Sequence, residues 1–172
     1  MRIAMKKQVC IRRPQRGFLL IEALIAVLIF SLGVLGMVAM SGTAIGAQSD
    51  ARYRTDAARL ADDMASNIAL GVDRTTEDTL RASLAAFQHL PGGAACAFSG
   101  DASVSPAVTT WLSQVTATAS PGLPGSTSSS QQISISNTVA GFNRVEITLC
   151  WKAPGTPDTT AMRRHTLVTY VN

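Results

Sequence analysis

The chain is poor in the residues that usually announce chemistry. It has three cysteines in 172 residues and no C-x-x-C pair, which excludes a disulfide-dense scaffold, a ribbon-type zinc site and a thioredoxin-like redox centre. Its two histidines, His89 and His165, are isolated, and neither G-x-S-x-G nor H-E-x-x-H occurs. No glycine-rich loop ends in Lys-Ser or Lys-Thr, so no recognisable nucleotide cradle or hydrolase constellation is present. Asp62 and Asp63 are adjacent, not on one helix face, and read as solvated helix charges. No catalytic residue, metal ligand or cofactor site is expected, and the chain is not read as an enzyme.

Positive charge is equally scarce outside one place. Six of the fifteen Lys and Arg residues, namely Arg2, Lys6, Lys7, Arg12, Arg13 and Arg16, precede Gly17, and no acid accompanies them. The other nine face all eleven Asp and Glu, so the remainder of the chain carries a net charge of minus two. The sequence pI near 9.3 therefore belongs to the N-terminal prefix. This distribution argues against nucleic acid as a partner.

Proline is absent between Pro14 and Pro91, and residues 23–49 form a run of 27 without a formal charge. At a rise of about 1.5 Å per residue such a helix exceeds the roughly 30 Å hydrocarbon core of a bilayer. Backbone groups in lipid must be satisfied within the segment, so a helix is the natural form. The basic prefix would stay on the cytoplasmic side, leaving everything beyond about Ser49 outside. A secretory signal ending near Ala44-Ile45-Gly46 is the competing reading. Against it stand the long prefix, the long apolar run and the glutamate near its start.

That glutamate belongs to Arg16-Gly17-Phe18-Leu19-Leu20-Ile21-Glu22. A carboxylate in an apolar span is rare; at a helix centre an ionised side chain costs about 2.5 to 3.5 kcal/mol to insert, less near an end. Glu22 stands one helical turn past Phe18. Cleavage between Gly17 and Phe18 would create an α-ammonium able to pair with such a carboxylate, within one helix or between neighbours.

Gly-Phe-Leu-Leu-Ile-Glu ahead of a long apolar helix resembles the class III signal of type IV pilins and pseudopilins. The resemblance implies that a prepilin peptidase cuts after Gly17 and methylates the Phe18 amine, and that Glu22 sets subunit recruitment and register. It implies further partners: major and minor pilins, the inner-membrane assembly platform and the inner membrane itself. The expected location is a single pass through a bacterial inner membrane, N-terminus cytoplasmic and C-terminal domain periplasmic, with incorporation into a surface pilus. Within this class the chain is similar to the minor pilins called type IV pilus modification proteins, the PilV type. Gly-Val-Leu-Gly at 33–36, Ala-Arg-Leu-Ala-Asp-Asp-Met at 58–64 with Asn67, and Val-Glu-Ile-Thr-Leu-Cys-Trp at 145–151 carry that narrower likeness. The alternatives are a type II secretion pseudopilin and a pilus-associated adhesin. The region of the helix where major pilins carry a proline has none here.

The expected fold is α+β: a pilin fold, in which a long N-terminal helix packs on a small C-terminal antiparallel sheet. Four segments are expected: a removable leader at 1–17, the transmembrane half of the helix at 18–46, its amphipathic half at 47–70, and a periplasmic globular domain at 71–172. In the amphipathic half Tyr53, Ala57, Leu60, Ala61, Met64, Ala65 and Ile68 recur at helical steps, with Arg52, Asp56, Arg59 and Asp63 as a polar stripe. Gly42 and Gly46 have the G-x-x-x-G spacing that brings membrane helices together, a weak signal alone.

Thr75 or Thr76 is expected to cap a helix carrying Leu80, Leu84 and Phe87, and Ser105-Pro106 to open another carrying Val108, Trp111, Leu112 and Val115. Residues 119–137, rich in Ser, Gly and Pro, read as an exposed loop, although a strand through Ile133 and Ile135 is also expected. Val145, Ile147, Leu149 and Trp151 alternate with polar neighbours as a strand, and residues 164–171 form its hairpin partner after Pro154-Gly-Thr-Pro157. Cys96 and Cys150 both follow the apolar run. If that part is exported, oxidation favours joining them, fastening an irregular segment to the outer side of the sheet; two unpaired buried thiols are the other reading.

Overall fold

The structure is a computed structural model that describes residues 18–139, 142–153 and 162–172. It is α+β. Helix α1 (Phe18–Gly71) is followed by α2 (Glu77–Ala85), strands β1 (Gly92–Ala94) and β2 (Ala97–Ser99), α3 (Pro106–Val115), and strands β3 (Gln131–Val139), β4 (Phe142–Trp151) and β5 (Arg163–Val171). The chain divides into two compact units between Gly46 and Ala47. The expected leader and the Pro154-Gly-Thr-Pro157 turn lie outside the described residues.

In the first unit, α1 has apolar side chains on every face and no cover; Leu20, Phe30 and Met40 are 70%, 72% and 74% exposed. Two of its hydroxyls are turned inward on the helix. The hydroxyls of Ser31 and Ser41 donate to the carbonyls of Val27 and Met37 one turn back, at 2.7 and 2.9 Å. A helix so built satisfies its own hydrogen bonds without water, as a bilayer demands. It is long and apolar enough to cross a membrane.

In the second unit, Ala57, Leu60, Ala61, Met64 and Ile68 of α1 are wholly buried, at the three- and four-residue steps that align one face. Elsewhere on the helix Arg52–Asp56, Arg54–Asp50 and Arg59–Asp63 form i,i+4 ion pairs at 3.7, 3.2 and 2.9 Å. These surface pairs contribute a few tenths of a kcal/mol each, about 0.3 to 0.5. Burial of the apolar stripe, at about 25 cal/mol per Å², supplies most of the packing energy.

Thr76 caps α2, accepting from the Thr79 N–H at 3.2 Å, while the Thr79 hydroxyl accepts from the Thr76 N–H at 3.0 Å. Leu80 and Leu84 of α2 and Phe87 just beyond it enter the core. Pro106 stands in the first turn of α3, where its missing N–H costs nothing. Ser105 occupies the cap position without a side-chain bond. Trp111 of α3 donates its indole N–H to the Leu60 carbonyl at 2.8 Å, a buried bond that fixes α3 against α1.

Strands β3, β4 and β5 form an antiparallel sheet in that order, with Ile147 opposite both Ile133 and Leu167. Alternation sends Val145, Ile147, Leu149 and Trp151 of β4 into the core shared with α1. Two sequence expectations need correction. Residues 119–137 are not one exposed loop: Leu123 is 2% exposed within the core, and β3 begins at Gln131, itself fully buried. The segment before the first body cysteine is not irregular either. It is the β1–β2 hairpin, turning through Ala95 and Cys96 with φ of 53° and 68°. Both residues occupy the left-handed region that glycine or asparagine usually fills in such two-residue turns, which is why the sequence did not reveal it.

Candidate functional site

The sequence places its functional signal at the start of α1. Phe18 is the first residue of the helix and Gly17 lies outside the described residues, so the candidate scissile bond sits at the edge of what is described. Glu22 follows one turn later in the exposed part of α1, among Leu19, Ile21, Leu24 and Ile25, each more than half exposed. Among the described residues Glu22 has no ion-pair partner. A carboxylate on an otherwise apolar, uncovered helix has one chemical property that matters: out of water it must find a cation or a hydrogen-bond donor supplied from elsewhere.

Gly42 and Gly46 stand on one face, four residues apart. A Cβ built on either would meet nothing within 4 Å, as at Gly33 and Gly36, so no contact within the chain requires these glycines. Any packing role for their missing side chains is toward something that approaches α1 from outside.

Cys96 and Cys150 are joined by a disulfide, with Cα atoms 5.9 Å apart. Cys150 lies on the face of β4 opposite the α1-facing residues, and the bridge ties the β1–β2 hairpin there. Cys150 is nonetheless fully buried.

Among the described residues no group of three His, Cys, Asp or Glu could hold a metal ion. Among the described residues Asp73, fully exposed, is the one ionisable group with a resolved perturbation. Hydrogen bonds from the Thr75 hydroxyl and the Thr75 N–H hold its carboxyl below the ordinary value.

Three arrangements escaped the sequence. His89 is 2% exposed and works as a staple: its Nδ1 accepts from the Ser103 N–H and its Nε2 donates to the Ser128 carbonyl, both at 3.1 Å. Its backbone also bridges to Ile133 at the edge of the sheet. Gln132 donates through Nε2 to the carbonyls of Leu90 and Gly92. Arg163 of β5 pairs with Asp50 of α1 at 3.4 Å. All three are long-range, and single-sequence periodicity carries no signal for them. The chain matches no protein-family model, no curated protein and no solved structure.

Proposed function

We propose that the chain is a minor pilin: a bacterial inner-membrane subunit that prepilin peptidase cuts after Gly17 and methylates at Phe18, and that joins or primes a type IV pilus through α1. The observation that carries this reading is Glu22, a lone carboxylate one turn into an apolar helix left uncovered over its whole first unit. A bare apolar surface of that extent is stable only in lipid or against other apolar helices. In either setting Glu22 needs a cation, and the Phe18 ammonium of a neighbouring subunit answers that need. Pairing of the two would fix the axial register between adjacent helices.

Helix packing then drives assembly, and the second unit modifies assembly or surface contact without chemistry of its own. The partners are major and other minor pilins and the inner-membrane assembly platform, with the second unit on the periplasmic side. An adhesive role centred on residues 119–137 is less well supported, since Leu123 and Gln131 are committed to the core.

Mass spectrometry of the membrane-extracted protein tests the proposal. The expected result is an N-terminus at Phe18 bearing one methyl group. Retention of Met1 through Gly17 overturns it.

A further inference from the structure

We propose that the free edge of β5 receives an added β-strand from another protein: an extended segment whose outward row is apolar and ends in a carboxylate. Among the described residues β5 pairs with β4 on one side and with no strand on the other. No backbone group of residues 163–170 bonds outside that ladder among the described residues. The opposite edge of the sheet is treated differently. There the backbone of His89 exchanges two hydrogen bonds with Ile133 of β3, at 3.0 and 2.9 Å, and the Gln132 side chain donates to the carbonyls of Leu90 and Gly92. One edge is covered by the chain itself, and the other is left bare.

Exposed edges are normally blunted by lysine, proline, a bulge or an early end. Strand β5 has none of these. It runs nine residues in unbroken register with β4, and from His165 to Val171 it contains no proline and no Lys, Arg, Asp or Glu. The residues it does contain there, valine, leucine, threonine and tyrosine among them, suit a pleated surface. Strand addition is the recognition mode that such an edge offers: main-chain bonds supply affinity, and alternate side chains supply specificity.

What the partner carries follows from the face of β5 turned away from α1. Register places Arg164 opposite Cys150, Val168 opposite Glu146 and Tyr170 opposite Arg144, all on that outer face. Val168 and Tyr170 are 40% and 57% exposed, and the ring of Phe142, 49% exposed, meets that of Tyr170 edge to face at 6.4 Å. Apolar side chains on a neighbouring strand would cover this row. At its other end Arg164 has no ion-pair partner among the described residues. The one carboxylate in strands β3, β4 and β5, Glu146, is held by Arg144 at 2.6 Å. An acidic residue across from Arg164 meets its charge. A second copy of β5 cannot supply it, because the strand contains no Asp or Glu, and this favours a different protein as the occupant. The edge lies wholly within the second unit, so the assignment stands apart from the pilin reading.

The test uses the full chain in a neutral detergent, with binding read by fluorescence anisotropy of a labelled peptide, acetyl-Val-Thr-Val-Leu-Thr-Thr-Glu-amide. Antiparallel pairing sets its Val, Val, Thr and Glu across from Tyr170, Val168, Thr166 and Arg164. The peptide is expected to bind about fivefold more tightly than its analogue ending in Lys, as one cross-strand ion pair allows. Arg164→Glu, at an exposed position, should invert that order, and Arg81→Gln, on α2, should leave it unchanged. Backbone pairing makes a further demand on the parent protein. An added strand bonds through one of its two edges, so N-methylation of one alternate set of peptide amides should abolish binding and methylation of the other set should spare it. Failure of the peptide to bind, equal effects of the two methylated sets, or an unchanged order in Arg164→Glu overturns the proposal. A dimer of the full chain that the peptide disperses gives the edge to a second copy and overturns its assignment to another protein.

Discussion

The side-chain carboxamide of Gln131 meets both backbone hydrogen-bonding groups of Cys150: Oε1 accepts from the Cys150 N–H at 3.0 Å, and Nε2 donates to the Cys150 carbonyl at 3.1 Å. Strand β3 starts at Gln131, whose partner across the ladder is Leu149, so β4 runs two residues past its neighbour. The side chain supplies the missing rung. It also donates to the Thr127 carbonyl at 3.0 Å, holding the turn that leads into the strand.

Gln131→Leu keeps much of the volume and removes every one of these bonds. Each buried group left unsatisfied costs about 1 to 3 kcal/mol, and part of the loss is recovered by local relaxation. The variant is expected to lose about 2 to 4 kcal/mol in urea unfolding of the full chain in neutral detergent. A loss within 0.5 kcal/mol of zero would mean that water replaces the amide.

The disulfide closes a loop across a sequence separation of 54 residues. The chain-entropy estimate for such a loop is about 4 kcal/mol. Cys96→Ala with Cys150→Ala should lower stability by roughly that amount, and reducing agent should move the parent protein toward the double variant while leaving the variant itself unchanged. Insensitivity of the parent to reductant would contradict the bridge.

Ala95 holds φ at 53°, a conformation costing a non-glycine residue about 1 to 2 kcal/mol. Glycine there relieves this but gains freedom in the unfolded chain, which takes back part of it. Ala95→Gly is expected to stabilise by about 0.5 to 1 kcal/mol in the same unfolding measurement. Gly93→Ala should do the reverse, because a Cβ there would sit 2.3 Å from the Ala97 carbonyl oxygen.

Asp73 has a folded pKa below its ordinary value, so the stabilisation from its Thr75 bonds is fully present above the unfolded pKa and fades as pH falls through the folded one. Asp73→Asn should lower the neutral plateau slightly and flatten the acid limb, so that the two profiles converge below about pH 4. A profile parallel to that of the parent would show that Thr75 does not discriminate between the two charge states.

Glu22→Leu should remain in the membrane fraction and still lose its N-terminal leader, yet enter sheared pili at a small fraction of the parent level, about a tenth or less if a buried ion pair is forfeited. Glu22→Asp should recover part of the incorporation. Quantitative immunoblotting of pili against cell membranes reads both, and parental incorporation of the leucine variant would remove Glu22 from assembly.

How much of this was visible beforehand divides along the range of the interaction. The apolar run, the stripe Ala57 to Ile68, the Thr76 cap, Pro106 and the alternation through Val145 to Trp151 are all local patterns, and each element appears where its pattern placed it. The β1–β2 hairpin was hidden because its turn uses Ala95 and Cys96 where glycine or asparagine would have advertised it. Ser130 and Gln131 read as loop, since serine and glutamine are polar; the burial of Gln131 depends on a partner nineteen residues away in β4. His89 looked isolated for the same reason, as its two ring partners are fourteen and thirty-nine residues distant. The candidate site was legible in the reverse sense. Glu22 attracts notice because it breaks a local rule without an ion-pair partner among the described residues.

The bond from Trp111 to the Leu60 carbonyl has a mechanical corollary. It grips α1 at a point already enclosed by Ala57, Ala61 and Met64, so unwinding there would tear open packed structure. Between Gly33 and Gly46 stand four glycines, each worth about 1 kcal/mol less than alanine in a helix, where an added Cβ would meet nothing within 4 Å. Tension along the chain would stretch that glycine-rich length first, sparing the clamped portion, which would act as the fixed end of a spring.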